Sequence, residues 1–334
     1  MALRRMLVAM AAILLIQPLS VAGQDASASV MTERFALRSD ARVSLHHFLI
    51  AWAAADAGEW PGYAAPIVER GEVAGLIGEE REVWDQAALA YTAAAGRSHV
   101  FDEGLVAVRD WASGQANVGS VPDADRALTV ALERALPVYE RHWWSEHDRS
   151  NRAWIGDVSG LLETHEQNLV RRLESAYGAS WPENRIAVDV VPYANDVGAY
   201  STGGRITIAS GDAGNQAPQS LELVFHEASH VDPLEVPLRQ LVDHAFQEEG
   251  GQAPNRLWHD VIFFTTGEVT AIALEAAGQD YTHYGHATGL YRRGERWAGQ
   301  LPAFEQYLRP FLRSGGAGER VAAVRSVARA LMPR

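Results

Sequence analysis

Apolar positions in the first half of the chain recur every three to four residues in five separate stretches, and this period predicts five helices. The first runs from Ser39 to Ala57. Ser39 and Asp40 are capping residue types, and Gly58 ends the run. Further helical stretches cover Glu79–Ala95 and Asp102–Ala112. A fourth opens at Pro122-Asp123 and should be kinked by Pro137, and Asn151–Tyr177 stops at Gly178. The texture changes at Trp181-Pro182. Arg185–Pro192 (RIAVDVVP) alternates and is β-branched, which is strand chemistry. Arg205–Ala209 (RITIA) is a second short strand, and Tyr200–Gly204 reads as a turn. Helical patterns resume at Gln219–Val231, Val236–Glu249 and Asn255–Ala277, then continue in pieces to Met332. The pattern predicts a mainly α chain with a small antiparallel or mixed β-sheet, an α+β arrangement.

The same pattern sets an expected organisation. Residues 1–23 form a signal peptide and 24–38 a small polar linker. Residues 39–180 form a helical N-terminal region, and 181–334 a second region, which holds the predicted strands and shares one core with it. The signal reading rests on Arg4 and Arg5, the short apolar run Met6–Ile16, the break at Pro18 and the small residues Ser20–Gly23. The run is too short to span a bilayer comfortably. The expected location is therefore the periplasm or the exterior of a bacterium, with no membrane anchor once the signal is cleaved.

Composition narrows the chemistry. Hydrophobic residues make up 47% of 334, enough for a full core. The chain has no cysteine, which excludes disulfides, thiolate metal sites and a thiol nucleophile. It has no lysine either, so all 29 basic residues are arginine, and Schiff-base and P-loop lysines are excluded. A formal net charge of −13 argues against a nucleic-acid partner, whose phosphates demand clustered positive charge. No oligomerisation signature stands out.

One motif carries specific chemistry. Leu221–His230 reads LELVFHEASH, with His226, Glu227 and His230 in an HExxH pattern. Four residues along a helix return to the same face one turn on, so both imidazoles can meet one ion. Nitrogen donors suit zinc. Glu227 points one step around the helix and can take a proton from solvent on the open side of the ion. A third ligand is needed. Glu268, 38 residues after His230 in an apolar helix, is the expected one, and Gly267 beside it would let two helices approach closely. The competing role for Glu268 is a structural carboxylate held by an arginine. His259 lies nine residues before Glu268, half a turn off its face, and is discounted as a ligand on that ground.

HEASH followed by a glutamate on a later helix resembles the gluzincin group of zinc metallopeptidases, over roughly Val188–Tyr291. The resemblance implies a zincin-like core, one Zn2+ ion, His226, His230 and Glu268 as ligands, Glu227 as general base, and a peptide or protein substrate. The exopeptidase motif GxMEN is absent, and TTGEVT stands where the thermolysin type has NExxSD. Gluzincins place a tyrosine or histidine opposite the base, which favours Tyr284, then Tyr281, over His283 and His286 as oxyanion donor. Asp232, Asp243 and His244 are candidates to hold a ligand histidine's second nitrogen. RITIA is expected to be the edge strand that pairs with substrate, and Asn195-Asp196 with Gly198–Gly204 a gating loop. His142, Trp143, Trp144 and His147 read as an aromatic core cluster. The functional expectation is an exported zinc peptidase. The alternative is a zincin-like protein that binds zinc or peptide without turnover.

Overall fold

The computed structural model describes residues 28–56, 58, 75–94, 100–194, 198–315 and 317–332. The signal segment, Asn195 and Asp196 lie outside them.

Five strands form one mixed sheet in the order β1-β2-β3-β5-β4. They are β1 (Ala28–Met31), β2 (Phe35–Ser39), β3 (Ile186–Val191), β4 (Ala199–Thr202) and β5 (Arg205–Ala209). β2, β3 and β5 are parallel, while β1 and β4 run antiparallel to their neighbours. Two sequence expectations are corrected here. The polar linker 24–38 is, from residue 28 on, two strands of this sheet. Its alternation is real: Phe35, Leu37 and Ser39 are buried, and Ala36 and Arg38 less so. The residues read as a turn before RITIA are largely β4. The turn itself is only Gly203-Gly204, with φ of 61° and 72°, and that pair of left-handed residues is what a two-residue hairpin requires.

The five predicted N-terminal helices are present as α1 (Ala41–Asp56), α2 (Gly78–Thr92), α3 (Glu103–Ala112), α4 (Arg126–Tyr139) and α5 (Ser145–Tyr177). Asp40 caps α1 by accepting from the Val43 N–H (3.0 Å), and Asp102 caps α3 through Leu105 (3.0 Å). Gly178, at φ 68°, closes α5. Pro137 sits inside α4, and a widened turn at Glu140–Trp144 then leads straight into α5. The second half supplies α6 (Gln219–Ala228), α7 (Asp232–Glu248), α8 (Leu257–Ala276), α9 (Tyr284–Ala287), α10 (Gly294–Ala303), α11 (Arg309–Ser314) and α12 (Arg320–Leu331). No helix among the described residues is long and apolar enough to cross a membrane.

The sheet separates two apolar cores. On one face Phe35, Leu37, Val188, Val190, Ile206 and Ile208 pack with α5, α6, α8 and the C-terminal helices. On the other, Val191, Tyr193, Tyr200 and Ala209 join α1–α4, with Phe48, Trp84, Tyr139 and Trp143 at the centre. The single core expected for regions 39–180 and 181–334 is instead two, and neither follows that division, because β2 and α5 pack with the C-terminal elements while Val191, Tyr193, Tyr200 and Ala209 pack with the N-terminal helices. The second face is also polar. Asp189 accepts from Arg38 (2.6 Å) and from Arg205, Arg109 donates to Thr202 (2.6 Å), and His47 Nε2 meets the Tyr200 hydroxyl (2.7 Å). Buried polar groups need such partners. The Asp189 pairs tie the strands to one another, while His47 and Arg109 fasten α1 and α3 to Tyr200 and Thr202 of β4.

Candidate metal centre and its cleft

α6 carries His226 and Glu227 of the HExxH motif. Its apolar residues Leu221, Val224 and Phe225 are buried in the larger core, which fixes the side of the helix that bears the histidines. The regular helix ends at Ala228. His230 follows on a tighter turn, its N–H donating to the Glu227 carbonyl (3.2 Å). The two imidazoles still meet, with Nε2 to Nε2 at 3.4 Å. His230 Nδ1 donates to Glu235 Oε2 (3.0 Å), which leaves its Nε2 as a lone pair. The expected acceptors Asp232, Asp243 and His244 do not fill this role. Asp232 opens α7 at the surface, Asp243 is also exposed, and His244 pairs with Glu248 (3.5 Å). Glu235 lies only five residues past His230, one turn into α7, and was missed.

The third imidazole at the site is His259. Among the described residues, His226, His230 and His259 each offer a ligand nitrogen, all within 4.8 Å of one another. His259 stacks against His230 (ring centroids 5.1 Å, 24° between planes) and stands edge-on to His226 (5.3 Å, 80°). Phe263, one turn further along α8, packs on His226 at 3.7 Å between centroids. This corrects both readings of α8. Glu268, the expected ligand, is buried on the opposite side of the helix. It pairs with Arg309 and Arg313 (3.1 Å) and lies 3.5 Å from His283 Nε2. The helical arithmetic was sound: nine residues separate the two by half a turn, so one or the other could face α6. Packing turned the His259 face inward, and two arginines from α11 took the carboxylate. Gly267 does lie at a close approach, since a Cβ there would sit 2.8 Å from His283 Nδ1 and 3.2 Å from Glu222 Oε1.

The electrostatics keep His226 and His259 neutral. Burial, then the neighbouring His230 and His259, push His226 well below the usual imidazole range. Burial, followed by His230, Arg256 and Arg296, takes His259 down to about 3. The Nδ1 atoms of His226 and His259 are buried without a hydrogen-bond partner. Glu227 is buried and its carboxyl is pushed up by that burial, against the opposing pull of His230 and Ser201. The Ser201 hydroxyl lies 2.8 Å from both Glu227 Oε2 and the Glu227 carbonyl. Ser201, another residue missed in the sequence, is on β4. β4, not β5, ends the sheet on this side, so RITIA is an inner strand and AYST is the edge. Ala199, Tyr200 and Ser201 line the cleft beside the histidines.

Of the expected oxyanion donors, Tyr284 lines the cleft, with its hydroxyl 3.5 Å from Asn215 Oδ1. Tyr281 does not. Its hydroxyl donates to Glu222 Oε2 (2.6 Å), which also accepts from the Tyr284 N–H (2.8 Å). His283 and His286 pack behind the site, against Glu268 and Tyr291 respectively. The proposed gating segment Gly198–Gly204 is β4 and its hairpin. Trp143 sits in the second core as expected for the aromatic cluster, and His142 bonds Glu80 at the surface (2.8 Å).

The cleft has a volume of about 1020 Å3, and Val100 and Phe101, which lead into α3, also line it. Its donor set suits a borderline-soft dication. Tetrahedral zinc, with bonds of about 2.0–2.1 Å, would hold its ligand nitrogens about 3.3 Å apart. His226 and His230 already stand at 3.4 Å, and the third nitrogen is within about 1.5 Å of that spacing. Glu235 takes Nδ1 of His230, and the ligand nitrogens of the three imidazoles converge where one cation could be their shared partner. Comparisons with protein-family models, curated proteins and solved structures found no match for the chain.

Proposed function

We propose that the protein is a zinc-dependent peptidase with a zincin-like core, exported from the cell, whose metal ligands are His226, His230 and His259. The observation that carries this reading is the convergence of three imidazoles beside a buried glutamate in a large cleft bounded by a sheet edge. Bound there, zinc would act as a Lewis acid and bring the pKa of its solvent ligand near 7. The ligand set differs from the gluzincin pattern in its third member, an imidazole in place of a carboxylate.

The chain's own groups divide the remaining work. Glu227 takes a proton from solvent in the cleft and returns it to the leaving amine. Its raised pKa fits both directions of transfer. Ser201 fixes the carboxylate in place, and Glu235 fixes the orientation of His230. Tyr284 offers a hydroxyl across the cleft to the developing oxyanion. β4 ends the sheet beside the cleft, the position at which an extended peptide adds as a further strand. Glu227→Gln should retain one zinc per chain and lose hydrolysis of an unbiased peptide library. Turnover in that variant would remove Glu227 from the reaction, and a chain that carries zinc without any turnover in the native form would instead be a binding protein.

A further inference from the structure

Resting on the peptidase reading, we propose that the cleft selects peptides through a carboxylate, which it holds with Arg256, Arg293 and Arg296. All three arginines line the cleft, and Arg256 and Arg296 lie near enough to His259 to act on its charge. The placement is unusual for this chain, which carries a formal net charge of −13. Arg296 has a counter-ion in Asp260 (3.0 Å). No carboxylate among the described residues is within ion-pair reach of Arg256 or Arg293, and the one side-chain hydrogen bond of Arg293 goes to the Thr288 carbonyl (3.2 Å). The acidic residues of the cleft are occupied elsewhere. Glu227 is bonded to Ser201, Glu235 to His230, and Asp212 accepts from the Gly214 N–H (2.7 Å).

A second observation singles out Arg256. It has φ 63°, and it is the one non-glycine residue at positive φ among those described. An L-residue held there is strained, and such strain gathers at ligand clamps. The left-handed turn sets Arg256 immediately before α8, whose first turn carries Trp258 and His259 into the same cleft. The guanidinium is thus tied to the segment that supplies the third imidazole. Guanidinium groups bind carboxylates with paired N–H donors, and an anion approaching an otherwise acidic molecule is drawn to its cationic wall.

Two sources of carboxylate fit: the free C-terminus of the peptide and an acidic side chain near the scissile bond. The test uses labelled pentapeptides in matched pairs. One pair ends in a free carboxylate or a carboxamide, and the other, amidated in both members, carries an internal glutamate or glutamine. Binding is read by fluorescence anisotropy on the zinc-loaded Glu227→Gln chain, and hydrolysis on the native chain. At least about a fivefold preference for the carboxylate member of one pair is expected, shrinking with added salt. The pair that responds identifies the source. The ratio should approach one in Arg256→Gln and in Arg293→Gln, made singly so that one misfolded variant does not decide the matter. Absence of preference in both pairs, or a preference indifferent to both substitutions, overturns the proposal. Hydrolysis without carboxylate preference would leave the peptidase reading standing alone. Arginine-dependent binding without hydrolysis would do the reverse.

Discussion

Replacing His259 by alanine separates the two possible ligand sets of this site. Structural zinc in small protein sites is bound with about 10–16 kcal/mol. Spread over three imidazoles, loss of one removes roughly 3–5 kcal/mol, so the zinc Kd should rise at least about 100-fold. The fold should notice the change little. His259 Nδ1 has no hydrogen bond to lose, and the ring's packing on Phe263 and Trp258 (centroids 5.1 and 5.7 Å) is worth about 1 kcal/mol. Glu268→Gln is the matched control. It takes the shared carboxylate from Arg309 and Arg313, which are 33% and 42% exposed, so the loss is screened and should amount to roughly 1–2 kcal/mol of folding stability. Zinc affinity should not change. The assay is calorimetric titration of zinc into chelator-stripped protein, paired with urea unfolding of the metal-free chains. Weakened zinc binding in Glu268→Gln with native affinity in His259→Ala would refute the three-histidine assignment.

Ser201→Ala leaves the buried Glu227 carboxylate short of a donor. Hydrolysis should fall about tenfold with zinc stoichiometry unchanged, and equal kcat in both proteins would show that the hydroxyl does not position the base. Glu235→Gln weakens the acceptor behind His230. Zinc affinity should drop about 10- to 100-fold, which competition with a fluorescent chelator would measure, and native affinity would rule out an orienting role. Glu222 is pushed up to about 7, chiefly by burial, against the hydrogen bonds from Tyr281 and the Tyr284 N–H. Its unfolded-state pKa is lower, so the folded chain binds more protons between about pH 4.5 and 7. The contribution is then fully present below pH 4.5 and lost as pH rises through 7. Glu222→Gln should flatten the fall in unfolding free energy across that window, and an unchanged slope would mean that Glu222 ionises freely. Asp260 titrates with the same sign, pushed up to about 6 by burial, so the difference between native and variant isolates Glu222.

The amino-acid sequence determined the elements and the heart of the site. Helical periodicity located the helices to within a few residues at most ends. The exceptions are α4 and α5, which start four and six residues away from their expected openings, and α7, which begins four residues early. The two β-branched stretches became β3 and β5, and HExxH brought His226 and His230 together because both sit on one short piece of backbone. What it left open were choices between equivalent faces and edges. His259 and Glu268 share one helix half a turn apart, and nothing local says which side meets α6. That was decided by Phe263 packing on His226 and by Arg309 and Arg313 reaching the other face. β4 was unreadable for a similar reason. Its four residues alternate weakly, and they hold as a strand because β5 pairs with them while Arg109 and His47 grip Thr202 and Tyr200. The linker became two strands because β3, some 150 residues later, offered an edge. Periodicity is written in neighbours along the chain, but a third ligand, a sheet edge and a counter-ion are met only across it.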